Sequence, residues 1–272
     1  MDVLTQPWTL LAVSAVGLLA GILGGMLGVG GAVVVIPGLT WLFGYNQHIY
    51  QATAMITSIA VSIPAAVRHY RQGAAVPRAL RWMIPAAILL VLAGVALSNA
   101  PWFHGPQGSL WLGRLLSVFL IYEISVNVYR LFDHHEDGRT ADDSNPALTG
   151  PRSSLVGAVM GLIGGLLGVG GGVVAVPLQH LLLRLPLRSC IANASAVICA
   201  SSSVGAVYKN LSLHRHGYDW RLSVGLALIL APSCWYGGHL GARLTHSLSI
   251  RHVRVAFIAL TTLAAYKMAA LQ

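Results

Sequence analysis

Apolar residues fall in about eight long blocks along the chain: 8–43, 49–67, 79–100, 109–131, 153–183, 189–209, 219–242 and 252–271. A helix that crosses a bilayer needs about twenty mainly apolar residues, so the pattern predicts an all-α polytopic membrane protein. Blocks 8–43 and 153–183 are oversized, and each holds a glycine-rich centre followed by a proline, Pro37 or Pro177. That arrangement predicts a helix that breaks inside the membrane, with the two prolines as hinges.

The one strongly polar stretch, 132–152, holds five of the eight acidic residues together with Gly and Pro and reads as a solvated linker. It separates an N-terminal membrane repeat, 1–131, from a C-terminal one, 153–272. The repeats are homologous. Residues 16–37, VGLLAGILGGMLGVGGAVVVIP, align without gaps on 156–177, VGAVMGLIGGLLGVGGGVVAVP, with thirteen of 22 positions identical. The match persists further on, where Ala52-Thr53-Ala54 falls on Ala192-Asn193-Ala194 and Ala66-Val67 on Ala206-Val207. Each half thus has about four apolar segments, the first of them broken by glycine.

Basic residues orient the chain. The loop with Arg68, Arg71, Arg78 and Arg81 is the most basic of the first half, whereas 44–48 and 101–108 contain no Lys or Arg. The positive-inside rule puts the arginine loop in the cytoplasm, and with it the linker carrying Arg130, Arg139 and Arg152. If 153–183 crosses once, the following loop with Arg184 and Arg188 is external; if it turns back, that loop stays inside. The turned-back path places Arg243, Arg251 and Arg254 inside but exports Lys209, Arg215 and Arg221. Charge counts leave both topologies open. The glycines and proline give the turned-back path a physical cause, and it makes the repeats inverted, as in many transporters.

Composition agrees with a membrane location: 56% of residues are hydrophobic, 9% are charged, and the mean hydropathy is +0.69. Soluble domains carry about a quarter charged residues, so a water-facing surface is excluded. The net charge of +9 is scattered between apolar runs and forms no dense basic stripe, which excludes a nucleic-acid partner. Cys190, Cys199 and Cys234 lack CxxC spacing and read as small core residues. The first block has no basic flank and is too long for a removable signal, so it is expected to remain in the mature protein.

Gly17, Gly21, Gly25 and Gly28, matched by Gly157, Gly161, Gly165 and Gly168, form stripes suited to close helix packing. The clusters Gly28, Gly30, Gly31 and Gly168, Gly170, Gly171, Gly172 go further, because each glycine in a helix interior costs about 1 kcal/mol relative to Ala. Unwound backbone is tolerated at membrane depth only inside protein or along a polar cavity. Its N–H groups and the next helix start would attract an anion; a plain structural hinge is the competing reading. A nucleotide loop is excluded, since no strand precedes the glycines and no GK[ST] follows.

The duplicated G-x-L-G-G-x-L-G-V-G-G-[AG]-V-V-x-[VI]-P signature, in two four-segment halves joined by a polar linker, resembles the sulfite exporter TauE/SafE family over essentially the whole chain. The resemblance implies a secondary transporter in a bacterial cytoplasmic membrane. It also implies small sulfur-containing anions, sulfite or organosulfonates, as cargo, with the two repeats facing a central site. A passive anion channel of the same specificity, or a carrier of another small organic anion, is the alternative.

Thr57, Ser58, Asn193 and Ser195 follow the glycine segments and could donate to sulfonate oxygens; bonding between or within helices is the competing role. Thr53, Ser62 and Ser201 to Ser203 share that setting. Glu123 is the acid well inside a span and a candidate proton carrier, with Asn127 or Arg130 as the structural alternative. Arg68 and Lys209, at the ends of related spans, could attract an anion at a vestibule or snorkel to the interface. The histidines offer no metal motif, and His134, His135, His214 and His216 lie in loops. No cofactor is expected; the partners are lipid, a small anion and, as a coupling ion, protons. An intramembrane enzyme lacks an Asp pair, GxSxG or HExxH. Trp8, Trp102, Trp111 and Trp220 fall near span ends, as in aromatic belts.

Overall fold

A computed structural model describes residues 6–270 apart from 104, 133–145, 216 and 245–249. Most of the linker, with His134, His135 and Arg139, lies outside the described residues, as do His216 and the side chains of Arg130, Arg215, Arg251 and Arg254. The described residues form ten α-helices and no strand. They are α1 Pro7–Leu27, α2 Ala32–Phe43, α3 Gln47–Arg71, α4 Pro77–Ser98, α5 Gly105–Phe132, α6 Gly150–Leu167, α7 Gly172–Leu178, α8 Leu187–Arg215, α9 Trp220–Leu244 and α10 Ile250–Ala270. Six of them are long and apolar enough to cross a membrane. Large aliphatic and aromatic side chains such as Leu89, Val118, Leu228 and Tyr236 point outward, as lipid-facing residues do.

Each oversized block is two helices. The break in the first falls at Gly28 to Gly31, where Gly28, Gly30 and Gly31 take left-handed backbone angles, φ 69, 80 and 76°. Gly28 closes α1 by donating its N–H to the Gly24 carbonyl at 2.9 Å, and Gly31 is the residue from which α2 starts. Side chains rarely occupy that region. The second half repeats the device at Gly168, Gly170 and Gly171. Pro37 lies inside α2, six residues beyond the break, and Pro177 lies inside α7 just before a wider π-turn at Gln179–Leu183. Glycines therefore make the break, and the prolines fall within the returning helices.

After the break the chain folds back on itself. Gly31 sits against Ala20 and Gly24, and Gly38 against Val16, so α2 runs back along α1. Gly171 lies on Met160 and Gly164 on Gly170 in the corresponding places of the second half.

The glycine stripes pack helices across the two halves. Gly157, Gly161 and Gly165 of α6 press on the carbonyls of Met83, Ala87 and Val91 of α4. Gly17, Gly21 and Gly25 of α1 meet Leu230, Cys234 and Gly238 of α9, while Gly237 and Gly241 return the contact onto Leu18 and Ile22. A Cβ at Gly17 would strike the Ser233 hydroxyl and at the other places would enter backbone, so close approach there requires glycine. Each half lays its first helix against the fourth helix of the other, α1 on α9 and α6 on α4.

At the middle, α3 and α8 run antiparallel, with Met55 against Gly205 and His48, near the start of α3, against Lys209, near the end of α8. Asn193 accepts the Val76 N–H, so the loop before α4 and the start of α8 share one end of the molecule. The other end gathers the start of α3, the end of α4 and the end of α8.

Candidate functional site

The tips of the two hairpins meet at the centre of the protein. A Cβ on Gly172 would strike the Gly28 carbonyl and come within 2.8 Å of the Val29 Cα. Ile198 of α8 bridges the breaks: its Cγ2 lies 3.2 Å from the Cβ position of Gly30 and 3.1 Å from that of Gly170. Beside it stand two hydroxyls. Ser58 Oγ is 3.4 Å from the Cβ position of Gly30, and Ser202 Oγ is 3.6 Å from that of Gly170. Both are buried and neither has a hydrogen-bond partner. Leaving a buried polar atom unpaired costs about 1–3 kcal/mol, so a pair of them at one locus calls for a ligand or water. The first N–H groups of α2 lack intrahelical acceptors by construction and start at the same break.

Other residues singled out from sequence are engaged elsewhere. Thr57 donates to the Ala54 carbonyl at 3.1 Å and Ser195 to Ile191 at 2.9 Å, each within its own helix. Thr53 bonds Ile49 and Ser223, Ser203 bonds Cys199, and Ser62 bonds Ile59. The Asn193 oxygen accepts the Val76 N–H at 2.9 Å while its amide donates to Gln179, which in turn donates to the Cys190 carbonyl. That network ties α8 to the start of α4 and to the end of α7. Among the predicted site residues, the structure thus brings together the glycines of both clusters and Ser58, and holds Thr57, Asn193 and Ser195 by internal bonds.

Glu123 is completely buried in α5, and neither carboxylate oxygen has a partner. Asn127 reaches the backbone carbonyl of Glu123 and not its carboxylate.

Arg68 and Lys209 lie at opposite ends of the molecule. Arg68 is in the last turn of α3, whereas Lys209 touches His48 in the first turn, about 30 Å away at 1.5 Å per residue. Lys209 is fully buried, and its Nζ donates to Ser98 Oγ at 2.8 Å and Asn99 Oδ1 at 2.9 Å, with His48 Nδ1 at 3.3 Å. None of these partners carries a negative charge. His48 also contacts the Phe103 carbonyl and packs on the Tyr218 ring, and Asn99 donates to Ser212.

The sequence did not single out Gln47 or Gln51, nor set Ser202 apart from its serine neighbours. Gln47 and Gln51 are a helical turn apart in a span, and that spacing of amides was the available signal.

The glycine-tipped hairpins and the cross-packed halves extend over nearly the whole chain, and so does the match to known proteins: the family described as sulfite exporter TauE/SafE covers residues 13–268. The chain belongs to the TauE/SafE family. It is 28% identical to the probable membrane transporter protein MamO of Paramagnetospirillum magneticum, over 92% of this chain and 43% of that protein. It is 27% identical to the probable membrane transporter protein MJ0441 of Methanocaldococcus jannaschii, over 88% of each. To the probable membrane transporter protein YunE of Bacillus subtilis it is 25% identical, over 87% of this chain and 89% of the relative. The chain spans less than half the length of MamO, both that of Paramagnetospirillum magneticum and that of Magnetospirillum gryphiswaldense. No solved structure matches it. This TauE/SafE chain is an integral membrane protein of a transporter family.

Proposed function

We propose that this TauE/SafE protein is a secondary transporter that exports a small sulfur-containing oxyanion, sulfite or an organosulfonate, across a bacterial cytoplasmic membrane. The observation that carries the reading is the pair of unpartnered buried hydroxyls, Ser58 and Ser202, beside the meeting glycine breaks. The anion binds there, held by hydroxyls and by backbone N–H groups of Gly30, Gly31, Gly168, Gly170, Gly171 and Gly172, while Gly28, whose N–H is taken by the Gly24 carbonyl, shapes the turn. Helix starts are suited to negative charge, and no fixed cation needs to be buried beside it.

The repeats are read as inverted. Support comes from α3 and α8, the corresponding helices of the two halves, which cross antiparallel. Two folds related that way can exchange states, which is the basis of alternating access around a fixed site. Lys209 and Arg68, at opposite ends, draw the anion toward its two approaches.

The test is flux of labelled sulfite and of a labelled organosulfonate into proteoliposomes. Saturable uptake well above empty liposomes is expected, and absence of flux for every small oxyanion, beside an active control carrier, would overturn the proposal.

Protons couple through Glu123, on this reading. Glu123→Gln is expected to preserve exchange of anion for anion while abolishing accumulation driven by a pH gradient. Undiminished gradient-driven accumulation would remove Glu123 from the coupling.

A further inference from the structure

One face of α3 carries more polar groups than its fold requires. Gln47, Gln51 and Ser58 are four and seven residues apart, so all three project from one side of the helix. Both side-chain polar atoms of Gln47 are buried without a partner, and so are Gln51 Oε1 and Ser58 Oγ. The single side-chain bond of the set runs from Gln51 Nε2 to the Leu166 carbonyl at 3.2 Å, and the Gln51 side chain lies on Gly168 of the second break.

The other repeat shows that these amides are not needed for packing. The offset that superposes the glycine signatures carries Gln47, Gln51 and Ser58 onto Leu187, Ile191 and Ile198. Ile191 packs on Gly28 as Gln51 packs on Gly168, so an aliphatic side chain fills the same niche. Unpaired buried amides lower stability where an aliphatic group would not.

We infer that the Gln47–Gln51–Ser58 face of α3 is the lining of a substrate route, joining the central site to the end of the molecule at which Lys209 lies. This rests on the transporter reading above. Amides and a hydroxyl offer both donors and acceptors, so the face suits a small hydrated oxyanion and the water that travels with it, and the structure has the route closed. Leu187, Ile191 and Ile198, at the corresponding positions of α8, keep the related path dry. The two repeats therefore serve the substrate unequally, with the first lining the route and the second sealing it.

Two measurements test this. Gln47→Leu/Gln51→Leu introduces the kind of side chain the second repeat already accommodates, so the variant should fold with an unchanged or higher Tm. Its sulfite flux should fall at least tenfold. Flux within twofold of the parent protein, in a variant that folds, would overturn the inference; no flux in the parent itself would instead overturn the transporter reading.

The second measurement does not use transport. With Cys190, Cys199 and Cys234 replaced by alanine, Gln51→Cys and, separately, Ile191→Cys are exposed to a charged, membrane-impermeant thiol reagent. Right-side-out and inside-out vesicles are both used. Gln51→Cys should react from the face of loop 44–46, at least tenfold faster than Ile191→Cys reacts from either face. Equal rates, or no reaction at Gln51→Cys, would overturn the inference.

Discussion

Gly171→Ala is expected to yield almost no folded protein, while Gly30→Ala yields folded protein that transports poorly. Both glycines have left-handed backbone, φ 71 and 80°, where a Cβ costs about 1–2 kcal/mol. They differ in what the new methyl would meet. At Gly171 it enters the Met160 carbonyl, a backbone atom of α6 that moves only if the hairpin opens. Overpacking of that kind adds about 1–3 kcal/mol, enough with the backbone term to threaten a marginally stable protein. At Gly30 it meets only side-chain atoms, Ile198 Cγ2 at 3.2 Å and Ser58 Oγ at 3.4 Å, which can give way. The methyl would then occupy the space the account assigns to the anion. Monodispersity and Tm in detergent, followed by flux in liposomes, separate the outcomes. Equal loss of folding in both variants would mean that Gly30 serves the turn alone.

Ser58→Ala/Ser202→Ala is expected to abolish most transport with no loss of stability. Hydroxyls without partners contribute nothing to the fold, and removing a buried unsatisfied group is neutral or favourable. Each would contribute a charge-assisted hydrogen bond to the anion, about 1.5–3 kcal/mol. At 1.4 kcal/mol per factor of ten, each single change should weaken anion affinity at least tenfold, and the double change at least a hundredfold. Substrate-dependent shifts in Tm and the half-saturation concentration for flux give two readings of that loss. By contrast, Thr57→Ala and Ser195→Ala, whose hydroxyls bond their own helices, should alter affinity little.

Hydropathy showed the helical membrane class, and the repeated glycine signature located both breaks, because a run of glycines has few other uses in an apolar helix. The prolines misdirected the hinge. Pro37 and Pro177 are tolerated within their helices, and the positive φ angles that turn the chain belong to the glycines before them. Which hydroxyls are left without partners could not be read from the sequence. Ser58, Ser195 and Ser202 look alike as letters; bonding to a carbonyl one turn back depends on rotamer and on what the neighbouring helix presents. Asn193 looked like a ligand because it stands in a span, yet its amide joins Val76 and Gln179, residues distant from it in sequence or on another helix. The opposite placement of Arg68 and Lys209 follows from the antiparallel crossing of α3 and α8, a relation between halves that no local pattern encodes.

On the proposed mechanism, one anion site between the two hairpin tips is exposed to each side in turn. Counterflow tests it directly: proteoliposomes loaded with unlabelled sulfite are diluted into a trace of labelled sulfite. A carrier predicts transient accumulation of label above its external concentration, saturable and greatly reduced in Ser58→Ala/Ser202→Ala. Label that merely equilibrates, or accumulation that the double variant supports as well as the parent protein, would contradict the account.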